Sequence, residues 1–237
     1  MGAGDVAVSA LFVGSVGRLH GVPSAMDKRP TDTPVRLGPQ GLVGDEQADR
    51  RHHGGLDKAL HHYPLAHYAA WREELSADLA GRLRPGFFGE NLALDGLDET
   101  TVCIGDRFRF GDALIEVSQA RQPCWKLNLR SGLPDMARRL QDSGRTGWYY
   151  RVLEQGTVCA GNRLEPVGRP HPDWPLARVL HHLYRATLDR GALQALVTLP
   201  ELASSWRAVF SARLETGCVE DWSARLDTPA AHRVGTV

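Results

Sequence analysis

Cys124 stands in the stretch Ser118-Gln-Ala-Arg-Gln-Pro-Cys-Trp-Lys-Leu-Asn128, between two cations, Arg121 and Lys126. Pro123 fixes its own φ and biases Gln122 toward an extended conformation, so the thiol is presented on a stiff turn. Neighbouring positive charge favours thiolate over thiol, and the thiolate is both the nucleophile and the soft-metal ligand. A free cysteine is more often just a small buried hydrophobe. The preceding proline and the flanking cations weigh toward a functional thiol here.

A second polar stretch runs from Gly41 to Pro64. Glycines 44, 54 and 55 allow positive φ and close backbone approach, and Arg50, Arg51, His52, His53 and Lys58 supply fixed or titratable positive charge. Backbone N–H groups beside cations suit an oxyanion or phosphate. A solvated loop balanced by Asp45, Glu46, Asp49 and Asp57 accounts for the same residues equally well. No Gly-Lys-Ser/Thr opens a helix, so this is not a P-loop. His52, His53, His61, His62 and His67 invite a metal reading, but His-Glu-x-x-His is absent. A strand through Ala59-Leu-His-His-Tyr63 puts His61 and His62 on opposite faces, which makes a histidine-only zinc site the lesser reading. Further on, Gly86 and Gly89 frame Phe87 and Phe88, with Glu90 and Asn91 beside them. These residues either bound a pocket or lead a strand into a sheet with a carboxylate at its rim.

The elements that position these residues come from periodicity. Val6 to Gly17 reads as a first strand, residues 20 to 34 as a surface loop in which Lys28 and Arg29 are solvated, and Val35-Arg-Leu37 as a short strand. Pro64 opens a helix ending near Gly81, with Leu65, Tyr68, Trp71, Leu75 and Leu79 on its apolar stripe. Short strands surround the Gly105-Asp106 turn, and Ala113 to Val117 forms a buried strand feeding the Cys124 loop. Pro134 opens a second helix, Met136, Ala137 and Leu140 inward, stopped at Gly144. Gly147 to Leu153 and Thr157 to Leu164 are further strands, the latter interrupted at Gly161. Cys103 and Cys159 fall in apolar runs and read as core. Residues 6–168 therefore read as a β-rich α+β domain with two helices, the many short strands suggesting a barrel-like mixed sheet. Three prolines within Val167 to Pro175 mark a boundary. Residues 169–228 then show helical stripes, Leu176/Val179/Leu180/Leu183, Leu202/Trp206/Val209/Phe210/Leu214 and Val219/Trp222/Leu226, as a small helical appendage; residues from Pro229 read as frayed.

The chain has 237 residues with 28 basic and 28 acidic side chains, so nothing points to nucleic acid or an anionic membrane. The four cysteines are widely spaced, without Cys-x-x-Cys, which fits reduced thiols and a cytoplasmic protein. No signal-peptide pattern or transmembrane-length run is found.

Ser118-Gln-x-Arg-x-Pro-Cys-x-Lys-Leu-Asn128, Gly41-Leu-x-Gly-Asp-Glu-Gln-Ala-Asp49 and His53-Gly-Gly-x-Asp-Lys-Ala59 together resemble the MOSC domain family, named for the C-terminal domain of molybdenum-cofactor sulfurases. Within it the chain is most similar to stand-alone bacterial members linked to 6-hydroxylaminopurine resistance, which carry a C-terminal three-helix segment; Ser204-Ser-Trp206 and Gly217-Cys-Val-Glu-Asp-Trp222 match it. Leu56 departs from a Pro common in that pattern. The resemblance covers about residues 8 to 226 and implies a barrel-like fold binding molybdenum cofactor (molybdopterin), not pyridoxal phosphate. It implies Cys124 as metal ligand and catalytic residue, with Arg50, His53, Gly54, Gly55, Lys58, Glu90, Asn91, Gln119 and Arg121 around the cofactor. The implied reaction reduces N-hydroxylated bases, N–OH to N–H plus water, with electrons from an NAD(P)H-dependent flavoprotein; no dinucleotide-binding fingerprint is present, so this chain is not expected to bind the nicotinamide itself. A non-catalytic carrier of cofactor or sulfur, and a metal-free cysteine-nucleophile hydrolase needing a histidine base near Cys124, are the other readings.

Overall fold

Strand Ala113–Ala120 (β11) alternates Ala113, Ile115 and Val117 toward the core, and its neighbours build outward from it. A computed structural model describes residues 5–49 and 53–232. β11 pairs antiparallel with Arg107–Phe110 (β10) on one side and Trp148–Glu154 (β12) on the other. The ladder continues from β10 through Arg163–Gly168 (β14) to Val6–Ala7 (β1). From β12 it passes through Leu60–Pro64 (β8), Leu92–Leu94 (β9) and Ala10–Val13 (β2) to Arg29–Pro30 (β5). Only β8 and β9 pair in parallel. Val35–Gly38 (β6), Gly41–Leu42 (β7) and Gly156–Val158 (β13) form a three-stranded sheet, and Gly17–Leu19 (β3) with Val22–Ser24 (β4) forms a hairpin.

The α+β class is as expected, but the nine-stranded sheet ends on β1 and β5 and does not close as a barrel. Between the strands the described residues form four α-helices of six residues or more rather than two. The helix opened by Pro64 runs over Leu65–Glu74 (α1) and breaks at Leu75, whose backbone turns extended; Ala77–Arg82 (α2) resumes it. Lys126–Ser131 (α3) follows Cys124 directly, and Met136–Ser143 (α4) buries Met136, Ala137 and Leu140 and stops at left-handed Gly144. The surface loop of 20 to 34 contains β4 and β5. Lys28 in it is not solvated: its ammonium pairs with buried Asp45. Cys103 is buried as expected, whereas Cys159 is only half-buried, because it lies in the turn between β13 and β14.

The C-terminal helices are Leu176–Tyr184 (α5), Arg190–Val197 (α6), Ser204–Thr216 (α7) and the single turn Ser223–Leu226 (α8). The expected stripe around Val219 thus supplies only α8, and α6 is an additional helix. They are not an appendage. Leu180, Trp206 and Phe210 share one buried cluster with Phe108, Ile115 and Trp148 of the sheet. Leu226 belongs to a second cluster with Tyr68, Trp71, Leu127 and Met136. Ala230–His232 forms a 3-10 turn instead of fraying, with His232 stacked on Trp125 at 5.5 Å between ring centroids. Among the described residues no helix is long and apolar enough to cross a membrane.

Candidate functional site

Past the end of β11, the Arg121 amide still donates to the Gly147 carbonyl at 2.9 Å, so the chain stays beside β12 for one more residue. Gly147 is required there: its φ is +69°, and a Cβ would lie 2.2 Å from the His62 carbonyl oxygen. Pro123 then turns the chain, and the Cys124 carbonyl accepts the Leu127 N–H at 3.0 Å as α3 begins. The thiol is free and 8% exposed.

Cys124 sits at the junction of two connected cavities. Both are walled by Asp49, His53, Lys58, Lys126 and Tyr149. The narrow one, about 80 Å³, continues past Met26, Lys28, Asp45, His61, Asn91 and Arg121. The wide one, about 700 Å³, opens past Val22, Pro23, Gln119, Gln122, Trp125, Ser205 and Arg225. The second is of the size that holds a small-molecule ligand.

Positive charge gathers at this junction. Arg121 is 6% exposed, and among the described residues its Nη1 has no hydrogen-bond partner. His53 is pushed down to about 4, first by burial and then by Arg121, Lys126 and Lys58, so its ring is neutral near pH 7. His61 is held well below the usual histidine range by burial, with Arg121 and Lys28 adding repulsion. Burial also lowers Lys58, against the pull of Asp57 and Asp49. The Tyr149 phenol is raised by burial despite Arg121 nearby, and stays protonated. Buried donors with unmet hydrogen bonds beside several cations form a receptor for an anion.

The expected site residues divide. Cys124, His53, Lys58, Arg121 and Asn91 meet on the narrow cavity, and Gln119 lies on the wide one. Asn91 faces the cavity, but its amide is already engaged. Its Oδ1 accepts the His61 N–H at 3.0 Å, and its Nδ2 donates to the Phe12 carbonyl at 3.1 Å and to Asp45 at 2.9 Å. Gln119 Oε1 accepts from Ser205 at 3.3 Å, and Nε2 donates to the Ala120 carbonyl at 3.3 Å. Glu90 lies behind the wall, fully buried, accepting the Tyr68 hydroxyl at 2.5 Å and the Gly86 N–H at 2.6 Å. Its carboxyl is raised by burial. Gly54 and Gly55 do not reach the cavity walls; Gly55 is exposed with φ +100° and introduces the 3-10 turn Leu56–Lys58. Asp57 in that turn is tied to Arg151 at 2.8 Å and to the Ser204 N–H at 3.1 Å, which fixes the segment carrying Lys58. Arg50, Arg51 and His52 fall outside the described residues.

The remaining histidines have structural partners. His62 faces away from His61, bonding the Tyr150 hydroxyl through Nδ1 at 3.0 Å, and His67 pairs with Glu99 at 2.7 Å. Among the described residues no three His, Cys, Asp or Glu side chains converge as a metal site. The donor set instead fits a metal brought by an anionic organic cofactor: one soft sulfur ligand at a junction, and an unpartnered guanidinium nitrogen with further cations for the anion. Tyr149 was not singled out in the sequence. Its signal was the alternation of β12, which sends Trp148 and Tyr150 inward and therefore Tyr149 to the cleft face.

Comparison with known proteins agrees with this layout. Residues 49–165 match the MOSC domain, and residues 174–217, spanning α5 to α7, match the YiiM-like, 3-alpha helix domain. The chain is 40% identical over 207 residues to protein YiiM of Escherichia coli (strain K12), covering 87% of this chain and 92% of that one. It is 37% identical over 186 residues to a protein named Reductase in Gibberella moniliformis (strain M3125 / FGSC 7600), covering 78% of this chain and 33% of that one. The crystal structure of YiiM from Escherichia coli superposes with a TM-score of 0.80 at 34% identity, over 94% of this chain and 99% of that one. The cleft around Cys124 is thus the central feature of a chain that belongs to the MOSC domain family, in the YiiM-like branch with its three-helix domain.

Proposed function

We propose that this protein is a molybdenum-cofactor-dependent reductase of N-hydroxylated bases such as 6-hydroxylaminopurine. The observation that carries the reading is the junction itself: a nearly buried free thiol where a narrow cationic cavity meets a wide one. The MOSC family supports the cofactor, and the fungal relative's name supports the reaction class.

In this reading Cys124 would supply the sulfur that holds the metal. Arg121, Lys58 and Lys126 hold the negative charge of the cofactor, and neutral His53 offers a hydrogen bond without adding charge. When bound, the cofactor supplies the two-electron chemistry that converts N–OH to N–H with release of water. The wide cavity admits a planar base beside Trp125, and the protonated Tyr149 hydroxyl is a donor facing it. Electrons come from a separate NAD(P)H-dependent flavoprotein. The hydrolase alternative needs a histidine base beside Cys124. His53 shares the cavity, but at about 4 it is a poor base for neutral pH.

The test is metal analysis of protein made in a molybdate-replete host, followed by reduction of 6-hydroxylaminopurine with a flavoprotein donor. Molybdenum bound with turnover is expected, and Cys124→Ser should lose both while unfolding at a similar denaturant midpoint. Molybdenum without turnover on any N-hydroxylated compound would identify a carrier. A Ser variant with full metal and full activity would remove Cys124 from the site.

A further inference from the structure

The stretch that presents Cys124 is gripped by the C-terminal segment, whose Arg225 also lines the wide cavity. Arg225 Nη1 donates to the Pro123 carbonyl at 2.6 Å, one peptide unit before the cysteine. The Arg225 carbonyl accepts the Trp125 N–H at 2.8 Å, the amide immediately after it. One residue of α8 therefore holds both peptides that flank Cys124. The other arm of the guanidinium donates to Gln141 Oε1 of α4 at 2.6 Å, which anchors Arg225 to a helix of the sheet domain. Around this grip, Asn128 Nδ2 donates to the Leu226 carbonyl at 2.9 Å, and Leu226 is buried in the same cluster as Leu127.

From this geometry we infer that Arg225 is a positioning residue for Cys124, and that the segment 223–228 sets how the thiol faces the cleft. The inference takes Cys124 as the site's ligand, as read above, and adds how that ligand is aimed. The physical reason is local. A loop entering a helix has few backbone bonds of its own, and α3 has no side-chain cap at its start. Pro123 limits one dihedral, but the carbonyl before Cys124 and the amide after it need outside partners to fix the turn. A guanidinium supplies the first with a charge-assisted bond and is itself locked at its second arm, so the loop inherits the rigidity of α4. Family chemistry places the ligand in the sheet domain; the aim of that ligand would then depend on residues a hundred positions later.

A purely structural role would also make Arg225 important, so the test needs an internal reference. Cys103 provides it: it is 3% exposed, and its thiol faces the Pro172 carbonyl at 3.6 Å rather than any atom of the Arg225 contact. Cofactor-free wild type, Arg225→Ala and Arg225→Lys, all full-length, are pulsed with iodoacetamide under native conditions. Labelling of Cys124 and Cys103 is followed by peptide mass spectrometry. In Arg225→Ala, Cys124 labelling should rise about tenfold, as expected from loss of a hydrogen bond to a charged group, with Cys103 unchanged within about twofold. Arg225→Lys keeps one charged donor and should fall between the two. Should Arg225→Ala fail to fold, Arg225→Lys is judged by the same criterion. Parallel increases at both cysteines, or no change at Cys124, would overturn the inference. Because no metal enters this measurement, its outcome is separate from the proposed reaction. A protein that binds no molybdenum but shows the selective change at Cys124 would sink the reductase and leave the positioning role standing.

Discussion

His53 reports the charge of the cleft without any cofactor. Its folded value of about 4 lies below the ordinary 6.5. Between those limits the unfolded chain takes up a proton that the folded chain refuses. Stability contributed by the neutral ring is therefore present above 6.5, is lost as pH falls below it, and has fully gone near 4. At ~1.36 kcal/mol per pKa unit the whole gap corresponds to about 3.4 kcal/mol. The side chain is only half-buried, so solvent screening reduces this to about 1–2 kcal/mol. The perturbation is His53→Gln, which keeps a polar side chain and removes the titration. Urea unfolding of both proteins at pH 7 and pH 4.5 gives four stabilities. Wild type should lose about 1–2 kcal/mol more than the variant between the two pH values, the other histidines cancelling in the difference. Equal losses would refute the claim that burial, with Arg121, Lys126 and Lys58 beside it, lowers this ring.

Lys58→Ala should bind cofactor or inorganic phosphate more weakly with near-normal folding, and salt should weaken wild type more than the variant; equal affinities across a salt series would return residues 44–58 to a solvated loop. Lys28→Ala leaves Asp45 buried without its counter-charge, beside the Gly14 N–H and the Asn91 amide, and should cost about 3–5 kcal/mol in denaturant unfolding, far more than an exposed lysine would. Cys103, Cys159 and Cys218 changed singly to Ser should keep turnover, with only Cys103 showing a clear loss of stability; loss of turnover in the exposed Cys218 variant would contradict the single-thiol site.

Features written in a few adjacent residues were legible in the sequence. The Cys124 turn, the buried strand before it and the helix from Met136 to the stop at Gly144 rest on proline, apolar alternation and glycine. Pairings between distant residues were not. Lys28 looked like a loop charge because Asp45, its partner, lies 17 positions on, across the cleft. The open sheet was missed because strand lengths do not reveal order, and here β9 returns parallel beside β8. Helix α3 has six residues and no side-chain cap, so it leaves little periodic signal. Helix α6 did carry one: Asp189 accepts the Ala192 N–H at 3.1 Å, with Leu193 and Leu196 following on one face. At the site, the MOSC resemblance could not distinguish a residue lining the cleft, Arg121, from one bracing its wall, Glu90.

The bond from Arg225 to Pro123 spans 102 positions of sequence. On a growing chain the sheet strands around Cys124 emerge first, while the residues that hold its loop are still to be made. Contacts of such separation form late, after the loop entropy between them has been overcome. Until then the loop of Cys124 lacks its Arg225 contacts, and the thiol is more open to oxidants than in the finished protein. Assembly order thus makes the last stretch of helix a checkpoint: the Cys124 loop gains its Arg225 contacts only once the C-terminal residues have docked.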